Sequence, residues 1–260
     1  MTRGLWTRET VASLLLAAYL PLALFWTLSG GVAALGLFGL VALIVAGWHL
    51  AFMLLRAQPP SLAALVTALG IAMLAPEDLG LFRLGLGISF GVVMGEMVFG
   101  GWGRNVVNPA TVTLAFLGFG FPTFGWPGFD APVAWAAIPA ALIGMALGVL
   151  PAAVLIGAGL LGGIAVFGGL LPDPVLYAAG IVLVLLVADP VTSAGTTPGR
   201  WINGALYAAL VVLFANQWTG AAPVQIAVSA ALLASLAAPL LDEAALALWI
   251  AQRRRRHGRS

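Results

Sequence analysis

Two polar stretches interrupt an otherwise apolar chain. The first reads Gly100-Gly101-Trp102-Gly103-Arg104-Asn105-Val106-Val107-Asn108-Pro109-Ala110-Thr111. The second reads Asp189-Pro190-Val191-Thr192-Ser193-Ala194-Gly195-Thr196-Thr197-Pro198-Gly199-Arg200. Asn108, Asp189 and Thr197 each precede a proline, a pairing that caps and starts helices. Such helix starts carry free N–H groups and partial positive charge, which favour anions and polar acceptors. The glycines let a backbone approach a ligand closely. The candidate binding residues are therefore Gly101, Gly103, Asn105, Asn108 and Thr111 from the first stretch, and Asp189, Thr192 and Ser193 from the second. Simple helix capping is the competing reading of each loop. Glu96 is a candidate for an ion pathway, because an ionisable residue in a membrane helix marks function by default. It can instead pair with Arg104, two helical turns on, or reach the interface.

The residue inventory excludes other chemistry. The chain has no cysteine, so it ligates no iron–sulfur cluster, holds no cysteine zinc site and forms no disulfide. Its histidines are His49, inside an apolar run, and His257, in a basic tail, which argues against a haem held between two histidines. No metal site is expected from this chain, and any redox work must use a cofactor that needs no Cys or His ligand, or lie on a partner.

The elements that position these loops follow from composition. Of the 260 residues, 62% are hydrophobic and only 8% charged, against roughly 25% charged in an ordinary soluble domain. That balance implies an integral membrane protein, and continuous rather than alternating apolar runs imply helices rather than a barrel. Ten spans are expected: Val11–Ser29, Val32–Leu55, Leu62–Pro76, Leu79–Gly100, Pro109–Phe121, Val133–Leu150, Ala152–Leu171, Val175–Ala188, Trp201–Ala215 and Val224–Ala238. The first run lacks a cleavage pattern and is followed by further spans, so it is expected to be a span, not a signal peptide. Gly87, Gly91 and Gly95 recur every four residues, the spacing that lets helices approach closely in lipid. All eleven basic residues are arginine. With the N-terminus inside, Arg3, Arg8, Arg56, Arg104, Arg200 and the tail arginines Arg253, Arg254, Arg255, Arg256 and Arg259 face the cytoplasm. Glu77, Asp78, Asp130 and Asp173 then fall outside, near Arg83. The basic tail reads as a membrane anchor beside anionic lipid rather than a nucleic-acid site. An interfacial helix is expected after Pro239, with Asp242 and Glu243 solvated or salt-bridged at the surface.

The run Ser89-Phe90-Gly91-Val92-Val93-Met94-Gly95-Glu96-Met97-Val98-Phe99-Gly100-Gly101, continuing through Gly103-Arg104-Asn105 to Asn108-Pro109-Ala110, with Ala115-Phe116-Leu117 and Phe121-Pro122 beyond it, resembles a known membrane family. That family contains the NqrB component of the sodium-pumping NADH:quinone reductase and the RnfD component of the Rnf ferredoxin:NAD complex. Ala188-Asp189-Pro190-Val191-Thr192, with Gly199-Arg200 and Gly204, resembles its second loop, and Ala238-Pro239-Leu240-Leu241-Asp242 its end. The resemblance implies an all-α fold of ten transmembrane helices in two five-helix inverted repeats, similar to urea transporters. The halves would run from about 1 to 125 and from 133 to 240, with the interfacial helix and tail over 240–260. It also implies a multi-pass protein of the bacterial cytoplasmic membrane with both termini cytoplasmic, flavin, other redox and membrane subunits as partners, and electron transfer coupled to ion movement. Members carry a Ser-Gly-Ala-Thr type motif whose threonine holds a covalent FMN. Here Thr123-Phe124-Gly125-Trp126-Pro127-Gly128-Phe129-Asp130-Ala131-Pro132 stands in its place. Glu96 also stands where members are expected to have lysine.

Three functions follow. The first is a membrane subunit of a redox complex that binds riboflavin or FMN noncovalently through Asn105, Asn108 and the Asp189–Ser193 loop. The second is a channel or permease for a small polar solute or ion. The third is a structural anchor subunit without a cofactor.

Overall fold

The computed structural model describes residues 7–57 and 61–257, with the side chains of 254–257 left out. Arg3, Arg259 and the tail side chains from Arg254 to Arg256 therefore lie outside what is described. Among the described residues the chain is helical without strands. The elements are α1 (Arg8–Arg56), α2 (Ala63–Leu74), α3 (Gly80–Val92), α4 (Pro109–Gly120), α5 (Ala131–Trp135), α6 (Ala137–Ala146), α7 (Ala152–Phe167), α8 (Asp173–Val182), α9 (Thr197–Gln217) and α10 (Pro223–His257). A π-helical turn extends α3 over Val93–Met97, and another extends α8 over Leu183–Val187. The protein is inside-out relative to a soluble fold. Phe167 is 95% exposed, Val32 85% and Phe82 81%, whereas Glu96 is 0% exposed. Apolar side chains facing outward and polar ones inward fit an integral membrane protein.

Among the described residues, the ten expected spans appear as nine apolar helices when each π turn is joined to its helix and α5 to α6. Four of them are long enough to cross a membrane, and five are shorter. The difference lies in α1, a single run of 49 residues where two spans were expected. Straight, it would measure about 73 Å, against a bilayer core of roughly 30 Å. It is not straight. Gly31 takes φ 58 and ψ −143 inside it, a region that residues with a Cβ avoid. Arg8 and His49 line one small cavity, while Trp26, Gly30 and Ala33 line another with Pro76 and Glu77. The chain therefore doubles back at Gly31, and both ends of α1 return to the same side. At the other extreme, α10 continues through Pro239 without a break to His257.

The glycine stripe packs α3 on α4. A Cβ at Gly91 would come within 2.6 Å of the Thr113 backbone nitrogen, and one at Gly95 within 3.1 Å of Pro109 Cα. At Gly87 it would run into Leu117. The same device joins α7 to α9, where Gly204 abuts the Val154 carbonyl and Gly157 that of Trp201. Small residues at these points bring backbones together where lipid offers no hydrophobic drive between helices.

Candidate functional site

The two polar stretches meet at one end of the bundle. The π turn after α3 carries Glu96 into the interior. A π turn inserts an extra residue into the helix and is often found at functional sites. The chain then leaves the helix through Gly100, Gly101 and Gly103, at φ 99, 89 and 93. These left-handed values require glycine. The Gly101 N–H donates to the Glu96 carbonyl at 3.1 Å, closing the turn.

Asn108 begins α4. Its side-chain oxygen accepts from the Ala110 N–H at 2.9 Å, and Pro109 takes the first helical position. Its amide nitrogen donates to Asp189 at 3.0 Å. The same Asp189 oxygen accepts from the Thr192 hydroxyl at 3.0 Å, and the other accepts from the Val191 N–H at 3.0 Å. Asn108, Asp189 and Thr192 thus form one buried hydrogen-bonded knot joining both loops. Asn105 closes on its own loop, accepting from the Gly103 N–H at 3.1 Å and donating to the Val107 carbonyl at 3.4 Å. Gly103 is exposed, Ser193 is half-buried, and Thr111 is fully buried with its hydroxyl unpaired.

The second loop is held from below. Asp242, on α10, accepts from the Gly195 N–H at 2.7 Å, the Thr196 N–H at 2.8 Å and the Thr196 hydroxyl at 2.5 Å. Partial burial pushes its carboxyl up. The hydrogen bonds from Thr196 and Gly195, with the Arg200 charge, outweigh that and hold it below the usual aspartate value. Thr196 in turn caps α9 through the Gly199 N–H at 3.1 Å. Asp242, expected to be solvated or salt-bridged at the surface, is therefore half-buried and clamps the loop.

Glu96 does not pair with Arg104. The Arg104 side chain is exposed and folds over Gly100. The left-handed turn at Gly100 and Gly101 ends the helix, so the two residues no longer share a helical face. Instead the Glu96 carboxyl lies 3.7 Å from His49 Nε2. The Trp102 backbone N–H faces it, yet neither carboxyl oxygen, nor His49 Nε2, closes a hydrogen bond of proper geometry. Arg8 lies within electrostatic reach, and so does Asp189. Arg8, His49, Ser61, Glu96 and Trp102 enclose about 10 Å³, room for roughly one water molecule.

Of the residues singled out from the sequence, the structure brings Asn108, Asp189 and Thr192 together, whereas Glu96 sits with Arg8, His49 and Trp102, which the sequence did not point to. The available signal was His49 itself, an ionisable side chain inside a span.

A flavin does not fit these loops. Its ring and ribityl chain need free donors and acceptors, and Asn108, Asp189 and Asn105 are already engaged with one another or with their own loops. Small-molecule sites run to roughly 300–1,000 Å³, far beyond the enclosed 10 Å³. Cavities of 370 and 300 Å³ open on apolar flanks lined by residues such as Ile138, Leu142, Val166 and Leu183, and one of 420 Å³ lies by Glu77 and Asp78, with no residue of the two loops in its lining. No group of three or more His, Asp or Glu suited to a metal ion occurs among the described residues.

Comparison with known proteins gives a consistent kinship. Residues 6–131 match the sequence model of the NQR2, RnfD, RnfE family. Curated relatives include the B component of the Na(+)-translocating NADH-quinone reductase from Yersinia pestis, 38% identical over 95 residues, which is 36% of this chain and 23% of that protein. The same component from Pseudomonas paraeruginosa is 40% identical over 108 residues, 41% of this chain and 27% of that protein. That from Ectopseudomonas mendocina is 42% identical over 83 residues, 32% of this chain and 21% of that protein. The matched stretch thus spans about a quarter of each relative's length. The family match contains the first loop and Glu96; the Asp189 loop lies beyond it.

Proposed function

Since residues 6–131 match the sequence model of the NQR2, RnfD, RnfE family, we propose that the chain belongs to it and is a membrane subunit of a redox complex that couples electron transfer to ion translocation. The observation that carries this reading is a pair of buried carboxylates, Glu96 and Asp189, at the helix breaks of a protein whose outer surface is apolar. Ionisable groups are costly at membrane depth and mark ion routes. The relatives, each named as the B component of a Na(+)-translocating NADH-quinone reductase, support the redox partnership.

In this reading the chain works without a flavin in its own loops. The knot of Asn108, Asp189 and Thr192 fixes the two loops against each other, and partner subunits carry the redox groups. The doubled-back α1 crosses the membrane twice, which gives ten crossings. The two halves of the chain form the inverted five-crossing repeats that the resemblance implies. The arginine-rich ends face the cytoplasm of a bacterial inner membrane.

Gentle detergent extraction of the tagged chain from native membranes tests this. Redox subunits are expected to co-purify, with flavin absorption in the complex and none left on the chain once it is separated. Recovery of the chain alone, with solute flux in liposomes, would favour the permease reading instead. Flavin retained by the separated chain would refute its proposed flavin-free role.

A further inference from the structure

The pocket around Glu96 is not accounted for by the knot of loops beside it. It joins four parts of the chain that are distant in sequence: the start of α1 (Arg8), its return leg (His49), the start of the α2 segment (Ser61) and the π turn with its following loop (Glu96, Trp102). Buried polar side chains are normally satisfied. Here both Glu96 oxygens and His49 Nε2 are buried and unpaired, at 0% and 7% exposure. They face each other at 3.7 Å, too far for a direct hydrogen bond. Beside them is space for about one water.

We propose that Glu96 and His49 together hold one exchangeable proton across a single bridging water, and that this pair is the proton-loading site of the subunit. Loaded, the pair is neutral overall, either as carboxylic acid with imidazole or as carboxylate with imidazolium. The two forms interconvert when a proton passes from the carboxyl to the water while another passes from the water to Nε2. Unloaded, the pair carries one negative charge, and the proton has left past Arg8, which is exposed and lines the same pocket.

The surrounding charges favour a proton over a metal cation. Arg8 faces the site from the start of α1, and a fixed guanidinium repels a metal ion while stabilising the unloaded carboxylate. Asp189 lies within reach from the second loop and favours the loaded state. Neither α4 nor the Ser61 side brings a titratable group, and Arg104 is folded over Gly100. The nearby acid Glu9 accepts from the Leu62 N–H at 2.9 Å.

The proposal gives the ion-translocating reading its ion, while its test needs no partner subunit. The whole chain is placed in lipid nanodiscs with His257 replaced by asparagine, leaving His49 as its sole histidine. Its ring nitrogens are labelled and followed by NMR against pH. An adjacent carboxylate changes proton affinity by about ten- to a thousandfold, so Glu96→Gln is expected to weaken proton binding at His49 by at least about tenfold. Infrared difference spectra of the wild-type chain, which require no variant at Glu96, should show carboxyl and imidazole bands changing together. An unchanged His49 titration in Glu96→Gln would overturn the proposal. So would infrared bands that titrate independently, or a response to sodium that potassium does not reproduce. None of these outcomes depends on whether the chain co-purifies with redox partners, so the two readings can fail separately.

Discussion

Replacing Gly91 by alanine asks whether the close approach of α3 to α4 positions the site. The added Cβ would lie 2.6 Å from the Thr113 backbone nitrogen and 2.7 Å from its Cα. It would also strike the Thr113 hydroxyl, which donates to the Pro109 carbonyl at 2.9 Å. The obstruction is backbone, so a rotamer change cannot relieve it and the helices must separate. Overpacking of this kind costs about 1–3 kcal/mol. Gly85, six residues earlier on the same helix, has nothing within 4 Å of its added Cβ. There alanine should stabilise the helix by roughly 0.5–1 kcal/mol. The two variants make the same chemical change, so their difference isolates the packing effect at about 1.5–4 kcal/mol. At about 2–4 °C per kcal/mol for a chain of this size, Gly91→Ala should melt roughly 3–16 °C below Gly85→Ala. Tryptophan fluorescence during a thermal ramp in one detergent reads this directly, with nine tryptophans as reporters. Equal melting temperatures would refute the close packing of α3 on α4.

Three further outcomes are expected. Gly31→Ala should destabilise by about 1–3 kcal/mol although nothing lies within 4 Å of the added Cβ, because φ 58 with ψ −143 is nearly closed to other residues; Gly36→Ala, equally open, serves as the control, and equal thermal shifts would contradict the doubling back at Gly31. Asn108→Ala removes one of the three donors to Asp189 and should cost about 1–3 kcal/mol, whereas Asn108→Asp, which sets two acids side by side, should cost more; the order of their melting temperatures checks this. Asp242 has its carboxyl held below the ordinary 3.8 in the folded protein, so its stabilisation is complete above that value and is lost as pH falls through the lowered folded value; amide hydrogen exchange at 194–199 should quicken there, and Asp242→Asn should remove the pH dependence.

Much of the architecture was legible locally. Asn108-Pro109 reads as a helix start and is one, with α4 running Pro109–Gly120. The Gly87, Gly91 and Gly95 spacing reads as a packing face and meets α4. Both signals are short-range, set by capping and by side-chain size. What stayed hidden was long-range. No local pattern announces that residues 8 and 49 converge, because that depends on the backbone angles of one glycine. The π turns are equally silent, since Val93–Met97 and Leu183–Val187 share no sequence signature. The alternative of a Glu96–Arg104 pair supposed that the helix continued, and the left-handed glycines end it. Asn105 looked like a ligand amide but spends its hydrogen bonds on its own turn.

The doubling of α1 at Gly31 also bears on how the chain enters a bilayer. A ribosome delivers Arg8 and His49 before Glu96, so both legs of the first hairpin can be in place when the acidic segment emerges. An acid in a nascent span carries an insertion penalty that reaches about 2.5–3.5 kcal/mol at the span centre and is smaller near its end, where Glu96 stands. Glu96 would arrive beside a waiting imidazole and guanidinium, with the order of translation acting as its chaperone. A chain whose first leg was severed before Gly31 would present that acid to lipid with half of its escort missing, and defective insertion of the third helix should be its first symptom.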